Sequence, residues 1–174
     1  MKLKVTKLAI FDFDGTLVDT PLPDLGRIQY KEKTGKDWPH VGWWGKAESL
    51  DTKLFDMKTV DMVISDYEKE VVETETAVVM LTGRMIKLAS YVESILHEKG
   101  LKFDEYHYNR GGATFDAKIM TLEKLLKKYP DVTTISMWDD RDLHIDGFKA
   151  WANGLIAEGR LTTFNITHVK TGHF

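Results

Sequence analysis

The chain has 174 residues, 43% of them hydrophobic and 29% charged, which is enough apolar material for the core of one ordinary domain and excludes wholesale disorder. Its 24 basic and 27 acidic side chains leave a net charge of −3, so a broad polycationic surface is excluded and any grip on nucleic acid must be local. No cysteine is present, which rules out disulfides, thiolate metal sites and cysteine nucleophiles, and the apolar run Leu8-Ala9-Ile10-Phe11 is too short for a signal core or a bilayer span; the cytoplasm is the expected compartment.

Val5 to Phe13 reads as a buried strand, an apolar run that ends in polar residues and a glycine. Residues 20–75 then break the rhythm. They hold Pro21, Pro23, Pro39 and the piece Gly42-Trp43-Trp44-Gly45, and Leu50 to Val72 reads as one amphipathic helix. Thr76 to Leu81 is a second buried strand. Ile86, Ala89, Val92, Ile95 and Leu96 form a helical stripe closed by Gly100. Phe103 to Tyr108 is a weaker strand. Phe115, Ile119, Leu122, Leu125, Leu126 and Tyr129 recur at steps of three and four until Pro130 stops the helix. Val132 to Trp138, a helix over Leu143 to Ala152, and a strand over Thr162 to Val169 complete the chain. Strands alternating with helices imply βαβ units, a central parallel sheet and an α/β fold. The expected organisation is a core of residues 1–19 and 76–174, with residues 20–75 inserted over the carboxyl ends of the strands, where open α/β sheets bind ligands.

The strongest chemical signal is Phe11-Asp12-Phe13-Asp14-Gly15-Thr16-Leu17. Residues at i and i+2 of an extended segment share a side. Two close carboxylates raise each other's pKa unless a cation lies between them, and a hard divalent cation with oxygen ligands, Mg²⁺ above all, relieves that repulsion. Gly15 supplies the sharp turn.

Asp12-x-Asp14-Gly15-Thr16-Leu17 resembles the first motif of the haloacid dehalogenase (HAD) superfamily. Leu81-Thr82-Gly83-Arg84 after the second strand, Lys118 in Phe115-Asp116-Ala117-Lys118, and Asp139-Asp140-Arg141 after Ile135 to Trp138 resemble its remaining motifs, in order. Asp19-Thr20-Pro21-Leu22-Pro23, Gly42-Trp43-Trp44 and Asp140-Arg141-x-x-His144 narrow the likeness to the Swiss Army Knife RNA repair-like branch, over roughly residues 6–168. The Asp-Asp-Arg piece is also similar to the 3′-phosphatase domain of phage polynucleotide kinases. The resemblance implies a HAD-like Rossmannoid three-layer sandwich with a small helical cap-type insertion.

It also implies a Mg²⁺-dependent phosphomonoesterase that works through an aspartyl-phosphate. Asp12 would be the nucleophile, and Asp14 the acid and base that serves leaving group and water. Thr82 and Lys118 complete the catalytic set, with Gly83 and Arg84 on the substrate. Gly83 is expected at a helix start, where anions are favoured. Asp12, Asp14, Asp139 and Asp140 are the metal candidates, with Asp139 and Asp140 unranked. Arg141 and His144 have either a supporting or a structural role. The tryptophans of the insertion either stack on a nucleobase or pack the insertion against the core. The expected partner is a phosphorylated small molecule or a polynucleotide end, with no membrane and no obligate protein partner. A phosphate-sensing or protein-binding module without turnover, a small-metabolite phosphatase, and transfer to an acceptor other than water are the alternatives.

Overall fold

Five parallel strands form the centre of the molecule in a computed structural model that describes residue 2 and residues 4–171. In chain order the elements are β1 (Lys7–Phe11), β2 (Val18–Asp19), α1 (Pro23–Thr34), β3 (Lys58–Thr59), α2 (Asp61–Val71), β4 (Thr76–Met85), α3 (Ala89–Glu98), β5 (Glu105–Asn109), α4 (Thr114–Lys128), β6 (Thr134–Asp139), α5 (Asp142–Ala157) and β7 (Thr163–His168). The main sheet has the order β5-β4-β1-β6-β7. The inner strands β1, β4 and β6 are mostly apolar and buried, as parallel strands covered on both faces must be, while the edge strands β5 and β7 are more polar and partly exposed.

Side-chain alternation divides the core in two. Ala9 and Phe11 of β1 point to one face, which Val63 and Tyr67 of α2 and Val92, Ile95 and Leu96 of α3 cover. Leu8 and Ile10 point to the other, covered by Leu122, Leu125 and Leu126 of α4 and Phe148 of α5. The result is the expected three-layer α/β sandwich. Among the described residues no helix is long and apolar enough to cross a membrane.

The segment between β1 and β4 departs from its expected form. Leu50 to Val72 is not one helix: a 3₁₀ turn covers Ala47–Leu50, β3 follows, and α2 begins only at Asp61. Phe55 and Met57, two residues apart, are both buried in the first core cluster, a spacing that suits irregular or extended chain and not a helix. β3 pairs antiparallel with β2, so the segment is tied back beside the first loop. Helix α1 is masked in the sequence by Pro21 and Pro23, although Pro23 stands in the first turn, where its missing N–H costs nothing. Its buried residue is Gly26, where a Cβ would lie 2.1 Å from the Trp43 side chain. Trp43 packs against Trp38 (4.6 Å between centroids) and Phe55 (5.6 Å), and Tyr30 sits edge-on to Trp38. These rings pack on one another within the insertion, and Trp43 and Phe55 belong to the same buried cluster as Phe11 and Trp138 of the sheet.

Candidate active site

β1 is the middle strand, and the chain leaves it for β4 on one side and later returns to β6 on the other. That reversal opens a crevice at the carboxyl ends of the strands. Phe11 of β1 is in register with Trp138 of β6, and their rings stack at 4.2 Å and 6°. The next residue on each strand is therefore level, so Asp12 and Asp139 emerge side by side, with Asp140 one step further.

Lys118 joins them from the second turn of α4. It is 2% exposed, with Nζ 3.0 Å from Asp12 Oδ1 and 2.7 Å from Asp139 Oδ2. Three buried carboxylates thus face one ammonium. Burial lifts Asp12 to about 6, aided by the charge of Asp139 and opposed by Lys118. Burial, then the charge on Asp12, lifts Asp140 to about 9. For Lys118 burial works against the charge, but Asp12 and Asp139 outweigh it and hold the ammonium above the ordinary lysine range. One carboxylate oxygen each from Asp12, Asp139 and Asp140 lie within 4.8 Å of one another. An all-oxygen set with surplus negative charge fits a hard divalent cation such as Mg²⁺, which would take up charge that otherwise falls to protons.

The carboxylate of Asp14 is not brought into that set. β1 ends at Phe11, and the chain then turns, with Gly15 at φ +67° and the Leu17 N–H donating to the Asp12 carbonyl at 3.3 Å. Strand alternation no longer holds there. Asp14 instead lies in the fork of Arg84, with Nε donating to Oδ2 at 3.0 Å and Nη2 to Oδ1 at 2.7 Å. The Thr20 hydroxyl donates to Oδ1 at 2.7 Å. Arg84 Nη1 donates to the Trp44 carbonyl and to Ser49 Oγ, both at 2.7 Å.

The HAD domain family 1 of Swiss Army Knife RNA repair proteins matches residues 30–174. The chain belongs to this family. At the level of the family it is a HAD domain. The match begins after the Asp12 to Leu17 loop, which stands on its own geometry. The chain is 26% identical to the Saccharomyces cerevisiae protein named Uncharacterized protein YMR265C, over 87% of this chain and 38% of that one. It therefore spans under two-fifths of that relative's length. The HAD domain of effector protein Lem4 from Legionella pneumophila superposes with TM-score 0.56 at 13% identity, over 98% of this chain and 90% of that one. An archaeal β-phosphoglucomutase from Pyrococcus sp. superposes with TM-score 0.53 at 17% identity, over 83% of each chain. Both are similar in fold.

The other expected site residues of this HAD domain are spread unevenly. Thr82 is buried, its hydroxyl accepting the Arg84 N–H at 3.1 Å. Gly83 lies inside β4, at a register shift between Leu81 and Met85, and not at a helix start. The helical backbone begins only beyond Met85. Gly83 lets α4 come close instead, since a Cβ there would stand 2.5 Å from Thr114 Cγ2. The Arg141 N–H donates to Asp139 Oδ1 at 2.9 Å. His144 packs its ring against Phe115 and Phe148, and burial, then the Arg141 cation, lowers its pKa.

A cavity of about 370 Å³ opens over the cluster. Asp12, Asp14, Lys118, Asp140, Arg84 and Arg141 supply its charged lining, and Leu22, Pro23 and Trp44 its apolar part. Of the tryptophans in the insertion only Trp44 reaches this cavity; it is 40% exposed, while Trp43 is buried in the core. Sequence reading assigned no role at the site to Ser49, which no local pattern marks, or to Thr20, which stood only as part of the Asp19-Thr20-Pro21 motif. It also missed His168, whose Nε2 is 3.2 Å from the Asp140 carbonyl.

Proposed function

We propose that this HAD domain is a Mg²⁺-dependent phosphomonoesterase acting through an aspartyl-phosphate on Asp12. The observation that carries the reading is Asp12 held against Lys118 beside Asp139 and Asp140, on the floor of a cavity at the sheet's switch point. Asp12, Asp139 and Asp140 would hold the metal, which when bound screens the charge of a phosphate dianion from an anionic nucleophile.

An Asp12 carboxylate oxygen attacks phosphorus in line, and the bond to the ester oxygen breaks with its electron pair on that oxygen. Asp14, which lines the same cavity and enters this step as the protonated carboxylic acid, gives that oxygen its proton. Water then attacks the aspartyl-phosphate, Asp14 takes the water's proton, and the Asp12 carboxylate returns. Lys118 keeps its positive charge throughout and offsets the charge spread over the phosphoryl oxygens.

The substrate class proposed is a nucleotide or a nucleic-acid terminal phosphate. The Arg141 guanidinium lines the cavity and makes no hydrogen bond or salt bridge among the described residues, so it suits a second anionic group such as a neighbouring phosphate. Trp44 offers an aromatic ring to a base. The test is phosphate release from an aryl phosphate, phosphorylated metabolites and 3′- and 5′-phosphorylated oligonucleotides, with Mg²⁺ or with EDTA. Release should need Mg²⁺ and vanish in Asp12→Asn. Full activity in that variant, or in EDTA, would overturn the reading.

A further inference from the structure

We propose that Arg84 is a positioning residue that ties the location of Asp14 to the seating of the insertion, and that it does not bind the substrate phosphate. This rests on the phosphomonoesterase reading for its catalytic half only.

A guanidinium has five N–H donors. In Arg84 four hydrogen bonds account for most of that capacity: two reach the carboxylate of Asp14, and two reach the Trp44 carbonyl and Ser49 Oγ of the insertion. The side chain is 1% exposed, and its backbone is itself pinned by the bond from its N–H to the Thr82 hydroxyl. The Trp44 ring lies against the guanidinium as well, with Cζ 4.9 Å from its centroid. A cation so enclosed has little left for a ligand. It has instead two obligations, one to the acid–base residue and one to the insertion, and the planar group makes them rigidly dependent on each other.

Asp14 and Trp44 both line the cavity. A leaving group resting on the insertion and the residue that protonates it are therefore joined through one side chain. Ser49 is fixed in turn by the bond from its hydroxyl to the Lys46 carbonyl at 2.7 Å, so residues 44–49 present their acceptors as a unit. The insertion then takes part in aligning the proton donor, and is more than a cover.

The experiment compares the wild type with Arg84→Lys and with the milder Ser49→Ala, which keeps the ion pair and removes one insertion acceptor. Three readouts are taken. The first is kcat/KM on an aryl phosphate and on an alkyl phosphate, whose departure needs the proton more. The second is competitive inhibition by inorganic phosphate. The third is amide hydrogen exchange of residues 42–51. A displaced acid should lower kcat/KM on the alkyl ester at least about tenfold more than on the aryl ester in Arg84→Lys, with a smaller shift of the same sign in Ser49→Ala. Inhibition by phosphate should stay within about twofold of the wild type. Exchange of residues 42–51 should speed up in both variants. Equal losses on the two esters, or a tenfold weakening of phosphate inhibition, would overturn the positioning role. Unchanged exchange in both variants would overturn the coupling, and this holds even if the wild type hydrolyses no phosphate ester and the catalytic reading itself fails.

Discussion

Replacing Lys118 by methionine removes the ammonium that lies 3.0 Å from Asp12 and 2.7 Å from Asp139. Methionine fills similar volume, so the packing cost is small and the change is chiefly one of charge. Taking one partner from a buried ion pair costs about 3–5 kcal/mol, because the remaining charge is uncompensated. Protonation sets a ceiling on that cost. A carboxylate with an unfolded pKa of about 4 can be neutralised at about 1.4 kcal/mol per pH unit above it. One proton therefore caps the loss at roughly 1–2 kcal/mol at pH 5, and at roughly 5–6 kcal/mol at pH 8, where the full ion-pair cost can appear. The folded variant binds more protons than its unfolded chain, so its stability falls as pH rises.

Urea unfolding in EDTA, followed by tryptophan fluorescence, should show Lys118→Met losing at most about 2 kcal/mol at pH 5 and about 3–5 kcal/mol at pH 8. The corresponding drop in melting temperature at pH 8 is roughly 6–20 °C for a chain of this size. Mg²⁺ should restore more stability to the variant than it adds to the wild type, since two carboxylates then lack their ammonium. A loss that is the same at both pH values, or absent at pH 8, would refute the picture of Lys118 as the internal counter-ion of the cluster.

Two other outcomes follow from the same geometry. In the cation-free wild type the folded-state pKa of Asp12 is raised from 3.8 to about 6 and that of Asp140 to about 9, so the protonated cluster adds stability at low pH that is lost as pH climbs through 6 and then 9. Mg²⁺ must displace those protons and leaves that loss smaller, so the rise in melting temperature on adding it should be greater at pH 8.5 than at pH 5; the reverse order would remove the cluster as the cation site. Gly26→Ala would press a Cβ into Trp43, 2.1 Å away, where Trp38 and Phe55 leave the indole no retreat. It should cost about 1–3 kcal/mol in thermal or urea unfolding, and an unchanged stability would show that α1 is free to shift.

Much of the site was legible because its residues follow apolar strands. Asp12 and Asp139 could be placed from the runs Leu8 to Phe11 and Ile135 to Trp138, each of which announces where it ends. Lys118 was placed by its likeness to a family motif, and it lies three residues after Phe115 and four before Leu122, on the face of α4 that the fold buries against the carboxylates. The insertion was harder to read. Its prolines and buried aromatics obey contacts made far along the chain, such as Trp43 on Gly26 and β3 on β2, so local periodicity misjudged α1 and the stretch from Leu50 to Asp61.

Outside the insertion, the order of strands and helices, the parallel sheet and the identity of the acidic residues at its tips were determined by the sequence alone, because hydrophobic periodicity and strand ends are local properties. Tertiary structure decided how the four aspartates divide. Asp140 joins Asp12 and Asp139, while Asp14 turns to a guanidinium 70 positions away that also holds the insertion. The physical reason is that side-chain direction past the end of a strand depends on the turn that follows and on the partner waiting there. Neither is encoded in the spacing of two residues.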